Sequence, residues 1–280
     1  MIFLFALVLL VSCVKNDVTN ITLNKTSSYL IIGQTDTLSA SLTATGDIKD
    51  LKQSWSSSNQ SVASVENGII SAIGGGSAVI TVKVGDKSSS CDVTVDDNII
   101  PVLTKGSLWY FGDAYGVTDI INGTGSNDFV LYLASSGINL DSLSGVGEIL
   151  MIEMNISMSV KDSLPVGTYD MMTDLTHNIG FAPFTLIPAF VQDEYPYGCW
   201  YFGILIDPIT NGNIVVTRAN TIYTINYEFF DYYGLKISGK FQGTLDYING
   251  TIQPANSSLK NRMKLKSNNR IKKSMTFKRR

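Results

Sequence analysis

The chain has 280 residues, 16% of them charged and 44% hydrophobic, with 24 glycines and a net charge of −3. That length suits about two domains of ordinary size, each able to bury its own core without disulfides. Ten of the 21 Lys and Arg fall within residues 260–280, where no acid occurs, so the rest of the chain stands near −13; this excludes nucleic acid as a partner of the folded part, because phosphate binding needs a basic face. Abundant Thr, Ser, Val, Ile and Tyr favour strands over helices, and the expected class is all-β.

Residues 1–12 are almost purely apolar, MIFLFALVLLVS, too short to span a bilayer as a helix and suited to a signal peptide. Leu10-Val11-Ser12-Cys13 resembles the lipobox of bacterial lipoproteins. The resemblance implies that Cys13 becomes the lipidated N-terminus, that residues 13–19 are a polar tether, and that acyl chains hold the protein on the outer membrane. Each buried methylene contributes about 0.8 kcal/mol, so two or three chains anchor a soluble domain durably. Lys15 and Asp17 after the cysteine resemble the charges that follow it in Bacteroidetes lipoproteins, a resemblance that implies export to the outer face.

From Ile21 the pattern changes to period-two alternation, in Ile21-Thr22-Leu23, in residues 37–42 and in residues 79–84, broken by Gly33-Gln34, Gly46-Asp47 and Gly74-Gly75-Gly76. Short strands with regular turn signals read as a sandwich. Asn67-Gly68 has the two residues that a type I′ hairpin turn needs at positive φ. The stretch WSSSNQSVASVENGIISAIGGGSAVITV, residues 55–82, resembles the bacterial immunoglobulin-like domain, group 2, over roughly residues 18–95. That resemblance implies a β-sandwich, taken here as residues 20–96, which supports or binds and does not catalyse. Trp55 is expected in its core, with Leu38, Val62, Val65, Ile70 and Val79 around it.

Asp96-Asp97-Asn98, followed by Pro101, is a polar hinge. Of the 28 aromatic residues, 23 lie between residues 102 and 256, which defines an aromatic-rich second domain. Candidate strands there are 107–111, 129–134, 148–157, 167–172, 199–206, 213–218, 221–230 and 235–247. Residues 164–169, 223–225 and 239–245 resemble the second half of Bacteroidales surface lipoproteins, which implies a larger antiparallel β-sandwich or jelly-roll. Residues 178–198 interrupt the strand rhythm with three prolines and bunched acids and tyrosines, and long loops in compact domains tend to carry function. Asp193, Tyr195, Tyr197 and Trp200 offer flat rings and a carboxylate within eight residues, the chemistry that stacks on and hydrogen-bonds a sugar, and they are the candidate ligand-binding set. Residues 257–280 have the composition of a basic disordered tail.

Catalytic and metal signatures are weak. Cys13, Cys91 and Cys199 make no Cys-x-x-Cys or Cys/His spacing, and the last two sit in alternating strands as small apolar residues. The one histidine, His177, stands without a Gly-x-Ser-x-Gly elbow. A carboxylate pair for glycoside hydrolysis would have to come from Asp193, Glu194, Asp207 or Glu228, and spacing singles out none of them. No cofactor and no metal are expected. The sequence thus reads as a non-catalytic cell-envelope lipoprotein, an immunoglobulin-like spacer presenting a β domain that binds a glycan or a surface protein. The alternatives are a structural envelope or fimbria-type component and, further off, a glycan-active enzyme.

Overall fold

The computed structural model describes residues 17–45, 52–112, 126–172, 183–192, 195–203 and 206–252. Cys13, His177, Asp193 and the basic tail lie outside the described residues. The chain divides into two compact units, residues 1–97 and 98–280. Among the described residues both are built from strands, with a single 3-10 turn at Gly250–Ile252 and no α-helix.

The first unit contains β1 (Asp17–Leu23), β2 (Ser27–Ile31), β3 (Thr35–Thr37), β4 (Ala40–Thr45), β5 (Ser54–Ser57), β6 (Ala63–Glu66), β7 (Ile69–Ala72), β8 (Gly76–Val84) and β9 (Lys87–Asp96). They form a four-stranded sheet in the order β2-β9-β8-β5, a three-stranded sheet β3-β7-β6, and a β1–β4 pair. Alternation in β8 turns Ala78, Ile80, Val82 and Val84 inward, against Cys91, Val93 and Val95 of β9. Val79 therefore faces out and is 38% exposed, which removes it from the expected surroundings of Trp55. Trp55 itself is half-buried rather than enclosed, because β5 is the edge strand of its sheet.

Asn67 and Gly68, with φ of 50° and 82°, close the β6–β7 hairpin as the Asn-Gly pair predicts. A methyl group on Gly68 would sit 2.4 Å from the Leu38 carbonyl oxygen and 3.3 Å from the Trp55 ring, so this turn must lack a side chain for β3 and β5 to close over it. Nearby, the Asp36 carboxylate accepts from Lys25 Nζ at 2.7 Å and from Ser28 Oγ at 2.5 Å.

The second unit contains β10 (Asn98–Ile99), β11 (Lys105–Gly112), β12 (Ser126–Ala134), β13 (Ile138–Asn139), β14 (Ser144–Gly145), β15 (Ile149–Ser157), β16 (Gly167–Met171), β17 (Thr185–Leu186), β18 (Phe190–Gln192), β19 (Tyr195–Tyr197), β20 (Trp200–Phe202), β21 (Ile206–Ala219), β22 (Ile222–Asp231), β23 (Lys236–Gly243) and β24 (Asp246–Asn249). Eleven of these make one sheet with the path β10-β23-β22-β21-β16-β17-β15-β12-β11-β24. β20 pairs with both β15 and β21, so the sheet curls and the ring β15-β17-β16-β21-β20 closes on itself. Most pairings are antiparallel; β10–β23, β11–β24 and β16–β17 run parallel.

All nine residues of β12 and eight of the nine in β15 are buried. A strand covered on both faces reads as a continuous apolar run, and FVLYLA and ILMI are such runs. One face of this pair carries Val130, Tyr132, Ile149 and Met151 into a cluster with Trp109, Trp200 and Phe202. The other carries Phe129, Leu131, Leu133, Leu150 and Ile152. Each of these side chains contributes about 1.5–3 kcal/mol on burial.

Lys25 and then Ser28 hold the Asp36 carboxyl below its ordinary value of 3.8. A depressed folded pKa means that the stabilisation is present above that ordinary value and is lost as pH falls through the folded one. The melting temperature of the first unit is expected to fall faster with acidification below about pH 4 in the wild type than in Asp36→Asn; identical slopes would show that the Lys25–Asp36–Ser28 contact contributes nothing.

Candidate functional site

Of the four residues expected to bind a ligand, Asp193 lies outside the described residues. Tyr195 and Tyr197 stand opposite Gln192 and Phe190 in the β18–β19 hairpin. Tyr197 is half-buried. Trp200 is completely buried: β20 pairs it with Met151 on one side and Pro208 on the other. Its ring lies nearly parallel to Phe202, with centroids 6.1 Å apart, and its indole N–H donates to the Tyr197 carbonyl at 2.7 Å. The Trp200 ring therefore faces the core rather than solvent.

A buried acid in β15 holds Ile187, Gly198 and Cys199 together. Glu153 is 3% exposed, and its carboxylate accepts the backbone N–H of Gly198. Its own carbonyl accepts the Ile187 N–H at 3.0 Å and the Cys199 thiol at 3.7 Å. Cys199 N–H donates to the Ile187 carbonyl at 2.9 Å, and Ile209 N–H to the Cys199 carbonyl at 3.1 Å. Gly198 has φ of 81°, and a methyl group there would stand 2.3 Å from the Pro188 carbonyl oxygen. Only glycine lets these two segments cross so closely.

Two residues along, Asn155 is 1% exposed and sits opposite Asp128. Its amide donates to Thr185 Oγ1 at 2.9 Å, and its amide oxygen accepts from Ser126 Oγ at 3.4 Å. The Asn155 backbone carbonyl accepts the Phe184 N–H at 2.9 Å. Glu153 and Asn155 thus act as internal clasps that tie the 184–199 segment to the central strands. Sequence reading passed over both, although two polar residues inside an otherwise apolar strand are a visible signal of internal hydrogen bonding.

Of the other carboxylates named for glycoside chemistry, Glu194 lies outside the described residues, and the remaining two are separated in character. Asp207 is fully buried opposite Tyr201, whereas Glu228 is exposed and pairs with Lys236 at 2.6 Å. The described residues hold no group of three His, Cys, Asp or Glu that would ligate a metal. Desolvation pushes both the Cys91 and Cys199 thiols up in pKa, the opposite of what a reactive thiolate needs. A shallow groove of about 450 Å³ over β6 and β7 is lined by Ser64, Glu66, Asn67 and Ile69 among others. No described helix is long and apolar enough to cross a membrane.

Residues 17–95 match the family of bacterial Ig-like domains, group 2, so the first unit is such a domain and the larger β unit follows it. An uncharacterized protein of Clostridium acetobutylicum is 44% identical over 87 residues, 30% of this chain and 22% of that protein. The chain thus spans about a fifth of that relative's length. Among solved structures, domains 4 and 5 of the S-layer protein SbsC are 22% identical over 29% of this chain and 53% of theirs, with a TM-score of 0.26. Domains 5–6 of the same S-layer protein are 12% identical over 83% of this chain and 99% of theirs, with a TM-score of 0.27.

Two outcomes follow from the burial of these side chains. Trp200→Ala empties a large aromatic site and is expected to destabilise the second unit by about 3–5 kcal/mol in chemical denaturation; a loss below about 1 kcal/mol would mean that the site collapses or that the ring is not enclosed. Cys91 and Cys199 are both free and buried, so a thiol reagent is expected to modify them only after unfolding. Rapid labelling of either in the native protein would contradict their enclosure.

Proposed function

We propose that this is a non-catalytic cell-envelope protein in which the Ig-like unit is a spacer and the second unit makes the contact with a glycan or a surface protein. The observation that carries this reading is modular: an Ig-like domain at residues 17–95 precedes a compact unit with its own two-faced core. The buried acid Glu153 and the buried amide Asn155 support the same reading, since they are engaged with backbone and neighbouring side chains and serve the fold.

The proposed anchor is the acylated Cys13, which places the protein on the outer membrane with its second unit outward. Intact cells expressing the full chain are expected to lose it to added protease, and Cys13→Ala is expected to move it from the membrane to the soluble fraction. A chain that resists protease on intact cells and is cut only after lysis would refute the outward placement; a Cys13→Ala chain still fully in the membrane would refute the anchor.

A further inference from the structure

The last strands of the second unit bury one face of their sheet and leave the other to solvent. In β22 the burial alternates strictly: Tyr223, Ile225, Tyr227 and Phe229 are buried, while Ile222, Asn226 and Glu228 are exposed and Thr224 and Phe230 half-exposed. The antiparallel register carries this face sideways. Asn226 lies between Val215 of β21 and Lys240 of β23, Glu228 between Asn213 and Ser238, and Thr224 between Thr217 and Gln242. β16 extends the same face with Thr168 beside Val215 and Asp170 beside Asn213. Four neighbouring strands give a platform roughly 14 Å across.

The platform is mostly polar, with Val215 and Ile222 as exposed apolar side chains on it. Amides and hydroxyls dominate, and its charges cancel: Asp170 and Glu228 against Lys236 and Lys240, with Glu228 and Lys236 already paired at 2.6 Å. Among the described residues the Asn226 and Gln242 amides have no hydrogen-bond partner in the protein. At one end of the row the β22–β23 turn presents Tyr232, 46% exposed and set edge-on against Tyr233 at 5.4 Å. The turn is rigid, because Asp231 Oδ1 accepts the N–H groups of Tyr233 and Leu235 at 2.8 and 2.7 Å.

We infer that this face is a platform for an uncharged polysaccharide, with sugar hydroxyls on Asn213, Asn226 and Gln242 and a pyranose ring against Tyr232. A primary amide offers donors and an acceptor side by side, which matches the donor and acceptor of each sugar hydroxyl. An aromatic ring offers an apolar face to the C–H side of the pyranose. Cancelled charge leaves no field for a polyanion, and the centre of a protein interface is depleted of Lys, Glu and Ser, which here occupy the middle of the row. The inference rests on the reading that the second unit makes the outward contact, and names the chemistry and the face.

The test is affinity electrophoresis of the purified full chain in gels containing xyloglucan, galactomannan, hydroxyethylcellulose or glycogen, with heparin as the polyanion. Retardation is expected in at least one neutral polysaccharide and not in heparin. It is expected to weaken about tenfold in an Asn226→Ala/Gln242→Ala double variant and in Tyr232→Ala, since two lost hydrogen bonds or one lost ring contact are together worth about that factor. Ser56→Ala/Ser90→Ala, on the exposed side of the first unit, is expected to bind like the wild type, and unchanged melting temperatures keep folding out of the comparison. If the wild type is retarded and both face variants are retarded equally, this face is not the site although glycan binding stands. If no neutral polysaccharide retards the chain, or heparin alone does, the inference is overturned, while protease accessibility on cells still decides the outward placement separately.

Discussion

A carboxylate that is 3% exposed has to find its donors inside the protein, and Glu153 finds one in the N–H of Gly198. Ile187, Gly198 and Cys199 are all held on this one residue. Leaving such a group unsatisfied costs several kcal/mol, far more than the net gain of an ordinary hydrogen bond. The segment from Phe184 to Trp200 is consequently drawn onto β15, first by Asn155 through Thr185 and Phe184, then by Glu153 through Ile187, Gly198 and Cys199. β17 and β20 are short because they are what this drawing-in leaves of regular pairing, and β20 then joins β15 to β21 and closes the ring. Gly198 is required by the same geometry, where Pro188 passes within the radius of a side chain.

The first unit solves a smaller version of this problem near its surface. Asp36 is partly buried between β2 and the β3 backbone, and Lys25, Ser28 and the Thr37 N–H supply its partners. Here the acid is exposed enough to remain charged without a deep network, so its contribution is tied to pH rather than to the fold's existence. The core below it is made by alternation alone, and Cys91 takes its place there as one more small apolar residue.

Period-two patterning made the regular part of the protein legible. Alternation placed the strands now seen as β8, β9 and β22, and Asn67-Gly68 announced its hairpin. The apolar runs marked β12 and β15 but could not say that both of their faces are covered, since that depends on what packs above and below. The same ambiguity hid the role of Trp200. Three prolines and clustered tyrosines marked a break in the strand rhythm, yet Trp200 just beyond it is turned inward in a strand paired with Met151, far back in the chain, and no local pattern carries that information. Trp55 shows the opposite case: its inward direction follows from alternation in β5, but its incomplete burial follows from β5 being an edge.

Aromatic enrichment and aromatic availability are therefore separate properties in this protein. Trp109, Tyr132, Tyr169, Trp200, Tyr201 and Phe229 are all buried, because the curled sheet has two interior surfaces to fill and large rings fill them with few residues. What remains for contact is set by strand parity and turn geometry. In β22 the odd-numbered positions turn Tyr223, Ile225, Tyr227 and Phe229 inward, while the even-numbered ones turn a hydroxyl, an amide and a carboxylate outward between Ile222 and Phe230 at the two ends. Tyr232 escapes the core because it lies just beyond the last ladder pair, on a turn whose hydrogen bonds are already satisfied by Asp231. A ring on such a turn can be presented without loosening the sheet beneath it, whereas a ring in β20 could be exposed only by undoing the pairing that closes the fold.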